Sequence, residues 1–436
     1  MALLNPIKLL SPTRFQSGAV LFKSYFNFIG QSEAPIAFHR WSLLGVIGTL
    51  LARSVYLPFG HSRVYPNQYI LLTGGPGSRK GTAIRAAISL IEATGFDHFA
   101  PNKAAKEAIW AKMSQQTEEQ FENLDFSLDS ITEMFIAQDE FIDFIGIGND
   151  DLVVNLTNLW DNLAKFSNPR NTKKDITITN PTFNILSGSA PGLISEAFSG
   201  VALSGGFFSR VLFIYGGYTD IKVTWPHKPD EQQKIQIVEH LKQIRELKGE
   251  IQLTAEVQTV LDRMYKTAPG IPDRRFNYYQ QRRFTHLLKL VIICSAANLS
   301  LEPTVEDCIL ANTLLHLAEL QMPYALGEYG KARHSDVANM VMDIIKSAHK
   351  PINTKELWKH INQDLDRQET LSELLINLLA AGKIQQVKKD NRVLGYLPIV
   401  EVNTSWEQGL IDYNLVEPDE HPGELTPDQQ ATQRST

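Results

Sequence analysis

The chain lacks the marks of several large protein classes. It has only two cysteines, Cys294 and Cys308, in 436 residues. Two cysteines build neither a disulfide framework nor a zinc knuckle, so they read as core thiols in a reducing cytosol. An excess of positive charge is missing too. Lys and Arg number 42 against 48 Asp and Glu, which leaves a net charge of −6. Nucleic-acid contacts must therefore come from local basic patches, not from the field of the whole molecule. No apolar run approaches the ~20 residues that cross a bilayer. The longest, WSLLGVIGTLLA from Trp41 to Ala52, reads as a buried helix. The opening MALLNPIKLLSPTRF has no secretory h-region or small-residue cleavage site. No internal repeat is visible. The expectation is a soluble, cytoplasmic protein with no membrane partner, and 43% hydrophobic residues supply a large core.

Against these absences stands an ordered series of apolar strands. NQYILL (Asn67–Leu72) is followed by a glycine-rich loop and a helix that stops at Gly95. EMFIAQDEF (Glu133–Phe141) ends in two carboxylates, NPTFNILSGSAP ends in small polar residues, and GGFFSRVLFIY places an arginine before a last strand. Strands alternating with helices predict an α/β fold with a parallel central sheet. Residues 101–130 read as polar and helical, and a further helix is predicted over Asp151–Phe166. From Asp230 to Ala325 the pattern is helical, with a break at Pro272. Residues 336–398 read as three helices and a two-stranded hairpin, the order of a winged helix. The predicted division is an N-terminal helical segment (1–60), a core (61–225), a helical lid (226–330), a winged helix (331–400) and an acidic, disordered tail (401–436).

The loop is GGPGSRKGT. Set against the phosphate-binding pattern G-x-x-x-x-G-K-[ST], Gly74 takes the first position. Gly75, Pro76, Gly77 and Ser78 fill the variable four, Arg79 stands at the second glycine, Lys80 is the lysine, and Gly81 replaces the hydroxyl residue. Small residues let backbone N–H groups curl around phosphate, and the next helix offers its positive end. The expected ligands are ATP and Mg²⁺, with Thr82, one residue late, as the substitute hydroxyl. Asp139 is the candidate for the metal shell and Glu140 for the general base, with Asp143 a weaker alternative.

Taken in order, FHRWSLLGVIG, GGPGSRKGT, FIAQDEF, NPTFNILSGSAP and GGFFSR resemble a family of phage and prophage P-loop ATPases. These occur alone or fused to primases and are similar to AAA+ superfamily 3 replicative helicases. The resemblance spans residues 20 to 325 and departs from the pattern at Arg79 and Gly81. It implies an AAA+-like core and ATP-driven translocation on single-stranded or forked DNA. It also implies a homo-hexameric ring and a primase or replication protein as partner, in a host cytoplasm. Ser189, or Ser187, would orient water against the γ phosphate. Arg210 would be a trans-acting finger. Arg283, with Arg282 beside it, would be the lid's sensor. Arg170, Lys173 and Lys174 would sit at a pore hairpin's tip. Lys388 and Lys389, near Lys383 and Arg392, would lie on a DNA-contacting wing, although Glu369 and Glu373 on the preceding helix oppose phosphate. The other functions left open are a helicase loader and a non-hydrolysing DNA-binding regulator.

Overall fold

The structure is a computed structural model. It describes residues 18–30, 32–101, 106–122, 131–162, 165–168, 176–198, 206–217, 219, 221–226, 230–327 and, with short breaks, 337–398. Its contacts divide the chain into two compact units that part between Gly327 and Glu328. The boundary predicted after 330 lies beside this break. Those predicted at 60 and 225 fall inside the first unit.

In chain order the first unit begins with α1 (Gly18–Ile29), α2 (Ile36–Leu51), β1 (Val55–Phe59), β2 (Ser62–Val64), β3 (Tyr69–Thr73) and α3 (Lys80–Ala93). Next come α4 (Lys106–Glu122), β4 (Thr132–Gln138), α5 (Phe141–Ile145), α6 (Asp150–Trp160), β5 (Lys165–Asn168) and β6 (Ile176–Thr179). Then follow β7 (Pro181–Ser189), α7 (Pro191–Ala197), a 3₁₀ turn (Phe208–Arg210) and β8 (Val211–Tyr215). The helical remainder holds α8 (Glu231–Glu246), β9 (Gly249–Glu250), α9 (Ala255–Thr267), α10 (Asn277–Ala296), α11 (Val305–Glu319) and α12 (Met322–Ala325).

The fold is mixed α/β around a four-stranded, all-parallel sheet in the order β4-β7-β3-β8. Every residue of β3 and β7 is buried. A parallel sheet covered on both faces buries its central strands end to end. On one face α2 lies across β3, β7 and β8 and against α3, α8 and α10. That encirclement explains why the Trp41–Ala52 run is apolar on all sides. It is a core helix, and among the described residues no helix is long and apolar enough to cross a membrane. On the other face α6 packs against β7.

One helix ends earlier than the sequence reading has it. The helix predicted over Asp151–Phe166 stops at Trp160. Asn162 turns into the left-handed region at φ 56°, which short polar side chains tolerate. Residues Lys165–Asn168 then pair antiparallel with β6. Within 101–130 the described helix is Lys106–Glu122. In the N-terminal segment the RSVYLPFG run holds β1, which pairs parallel with β9 and antiparallel with β2. This small sheet ties the segment to the helical layer.

The second unit has helical residues within 337–345, α13 (Thr354–Ile361), α14 (Gln368–Ala380) and an antiparallel hairpin of β10 (Ile384–Lys389) and β11 (Arg392–Pro398). Ile352 bridges Tyr396 of the hairpin. Its core is its own, built on residues such as Val341, Leu357, Ile361, Leu371 and Leu375.

In the first unit Phe183 of β7 is fully buried and meets the edge of Trp110 at 5.9 Å. Phe183→Ala is expected to destabilise that unit by about 3–5 kcal/mol, read as a fall in the denaturant midpoint at unchanged slope.

Candidate functional site

Parallel pairing brings the strand ends to one edge. Thr73 lies between Ser189 and Tyr215, and Gln138 lies beside Ser187. The glycine-rich loop, Asp139–Glu140 and Ala190 therefore leave the sheet together, where α/β proteins hold ligands. Gly188 permits this convergence. A Cβ there would lie 2.3 Å from the Asp139 carbonyl oxygen and 3.4 Å from Lys80 Cβ. Buried Ser187 donates to the Gln138 carbonyl at 2.7 Å. Ser189, the other water-orienting candidate, sits at the edge itself: its carbonyl accepts from Gly74 N at 3.4 Å and its hydroxyl donates to Ala190 O at 3.2 Å.

Arg79 occupies the left-handed region, φ 64° and ψ 24°, where a phosphate loop has its second glycine. An L side chain there costs roughly 1–2 kcal/mol. Its guanidinium is held by Glu33, which accepts from Nε at 2.8 Å and Nη2 at 2.5 Å. The other Glu33 oxygen accepts from Val223 N at 2.9 Å, and Thr219 donates to the Glu33 carbonyl at 2.7 Å. The Val223 N–H first, and then Arg79, hold the Glu33 carboxyl below its ordinary range. Arg79 thus ties the loop to the segment before α2 and the segment after β8. Beside this knot opens a cavity of about 330 Å³, lined in part by Ser32, Glu33, His39, Thr82 and Ser89.

Lys80 starts α3. Its ammonium donates back to the Gly74 carbonyl at 3.0 Å and the Gly75 carbonyl at 3.4 Å. Burial lowers its pKa, and Glu140 opposes that shift. Burial likewise raises Glu140, against the pull of Lys80. The two side chains lie in each other's field at the mouth of the loop. Glu140 Oε2 is buried with no hydrogen-bond partner. Ser78 Oγ shares that condition inside the loop.

Asp139 is engaged differently. Its Oδ2 accepts from Arg85 Nη1 at 2.5 Å. Both atoms crowd Gly81, where a Cβ would lie 2.7 Å from Asp139 Oδ2 and 2.8 Å from Arg85 Nη1. Thr82 does not join them: it is exposed and faces the Glu33 cavity, on the helix face it shares with Ala86 and Ser89. Thr82 thus lines a cavity apart from the Gly81–Asp139–Arg85 contact. Asp143 is exposed in the first turn of α5. No cluster of three or more His, Cys, Asp or Glu able to hold a metal occurs among the described residues.

Arg210 stands at the opposite edge of the sheet, just before Val211, which pairs with Tyr69 at the start of β3. It is 7% exposed and donates to Asp161 at 2.5 Å and to the Gly206 carbonyl at 2.9 Å. Arg282 reaches the other Asp161 oxygen at 3.4 Å, and both guanidiniums lie 5.7 Å from the Trp160 ring. Arg283 points instead into the helical layer, where it forms an ion pair with Glu319, Nε to Oε1 2.8 Å, and Asn312 accepts from its Nη2 at 2.9 Å. The arginine that shares the Arg210 surface is Arg282, not the preferred candidate. Arg170, Lys173 and Lys174 lie outside the described residues. So does Lys383, whereas Lys388 and Lys389 pair across β10–β11 with Val393 and Arg392.

With this geometry in hand, comparison with known proteins returned no matching family model and no matching curated protein. Sequence reasoning missed Glu33, Arg85 and Asp161. Glu33 stands in SEAP just before α2 and carries no motif signal. Arg85 carried a faint signal, since it lies one helical turn after the anomalous Gly81.

Lys289 lies beneath Trp160, 4.2 Å from its ring, and donates to the Tyr65 carbonyl and Asn67 Oδ1. Burial pushes its pKa from the ordinary 10.5 down to about 7, opposed by Asp161. Between those values the unfolded chain holds the proton more tightly, so this lysine's contribution to stability rises with pH. Denaturant titrations from pH 7 to 9.5 should show that rise in the native protein and its loss in Lys289→Met.

Proposed function

We propose that the first unit is an ATP-hydrolysing motor of the AAA+ superfamily 3 type, with a P-loop at residues 74–82. One observation carries the reading: Lys80 and Glu140 oppose each other across a glycine-rich loop at the carboxyl edge of a parallel sheet. Loop N–H groups and the amino end of α3 would receive the β and γ phosphates. Lys80 would exchange its two carbonyl partners for phosphate oxygens. Glu140, with one oxygen unpaired and its pKa raised, suits a base that takes a proton from the attacking water. Ser189 lies at the same edge to orient that water.

Mg²⁺ is the ion such sites employ, yet the residues here do not form its usual ligand set. Gly81 has no hydroxyl, the ends of the Asp139 and Arg85 side chains lie beside it, and Thr82 faces another cavity.

The position of Arg210 supports a ring. It lies at the sheet's amino edge, away from its own loop, so it can complete only a neighbour's site, after release from Asp161. In the hexameric reading, the β5–β6 hairpin would carry Arg170, Lys173 and Lys174 to DNA in the pore. The second unit would act as a winged helix, with Lys388 and Lys389 on its wing. A primase or other replication protein is the proposed partner.

A second reading, a nucleotide-bound switch or loader without its own unwinding, is favoured by the Arg85–Asp139 pair. Strand-displacement assays separate the two, because a loader alone unwinds little. The motor reading expects ATP turnover stimulated by single-stranded DNA. Lys80→Ala and Glu140→Gln should each lower turnover by about a hundredfold or more, with nucleotide binding retained in Glu140→Gln. Wild-type turnover in Lys80→Ala would overturn it.

A further inference from the structure

We infer that Arg85 is the resident cation of this phosphate site and frees nucleotide binding from any need for a divalent metal. The inference rests on the nucleotide-binding reading of the loop and adds to it the source of positive charge.

The guanidinium lies where a loop hydroxyl and its metal would otherwise stand. Arg85 begins one turn after Gly81, and helical side chains lean toward the amino end. Its Nη1 thereby comes within 2.8 Å of the position a Gly81 Cβ would take, and within 2.5 Å of Asp139 Oδ2. A serine or threonine at 81 would meet both atoms. In this arrangement the guanidinium takes the space beside Gly81 that a hydroxyl side chain would enter.

Charge and mobility agree. Lys80 answers Glu140, and Arg85 answers Asp139, so each carboxylate at this edge has its own cation. The planar fork of an arginine matches carboxylate and phosphate alike. With 64% of its side chain exposed, Arg85 can turn from Asp139 to a phosphate without repacking the core.

The test is equilibrium binding of a fluorescent ATP analogue to the full chain, in Mg²⁺ and in EDTA, with Mn²⁺ binding followed by electron paramagnetic resonance. The wild type should bind with similar affinity in both buffers. Arg85→Gln should lose about tenfold in EDTA, regain it with Mn²⁺ and show an ordered Mn²⁺ signal. Arg85→Lys should keep the metal-independent binding, because it keeps the cation. Thermal melts check that these surface variants are folded. Wild-type binding that collapses in EDTA overturns the role of Arg85 and leaves the nucleotide reading standing. So does an Arg85→Gln protein that matches the wild type, or whose loss Mn²⁺ does not repair. Absence of nucleotide binding by the wild type in either buffer removes both.

Discussion

The close approach of three chain segments at Gly188 governs the first unit. A parallel sheet sends every strand out at the same edge, but it does not decide how near the following loops come. Here β7 carries no side chain at the point where Asp139 and Lys80 converge, 2.3 Å and 3.4 Å from where a Cβ would be. Any larger residue would part the acidic strand end from the helix that follows the loop. The opposition of Lys80 and Glu140, and the contact of Asp139 with Arg85, both depend on that gap.

The two edges of the sheet handle charge in different ways. At the carboxyl edge the cations and carboxylates are paired but partly exposed: Arg79 with Glu33, Arg85 with Asp139. Such pairs hold geometry more than they stabilise, since water screens them. At the amino edge Arg210 is buried, and Lys289 lies deeper still under Trp160. Asp161 is the carboxylate that both Arg210 and Arg282 reach. Arg210, Arg282 and Lys289 surround one indole, and Asp161 answers both guanidiniums.

The anomalies of the loop have separate physical causes. Arg79 is strained in the left-handed region and is anchored by Glu33, which also grips Val223. Gly81 is a matter of space. A reading confined to the motif treats both as departures from one pattern. In three dimensions the first ties the loop to distant segments and the second makes room for Arg85.

Local chemistry carried much of the fold into view. The all-buried strands, the loop between β3 and α3, the carboxylates after β4 and the hairpin of the second unit follow from apolar runs, glycine clusters and strand periodicity. These signals act within a few residues. Helix ends were less legible: Trp160 closes α6 because Asn162 adopts a conformation that periodicity does not encode. The pairing of β1 with β9 joins residues nearly two hundred positions apart, which no local pattern predicts.

By itself the sequence determined which residue types stand at the loop, the strand ends and the helix starts. Only the tertiary structure decided which of them meet. It turned Thr82 away from Asp139, locked Arg283 onto Glu319 and brought Arg85 to the place beside Gly81. Partner choice of this kind is set by the rotation of a helix against a sheet and by atoms a few ångströms apart. Neither quantity is written in residue order.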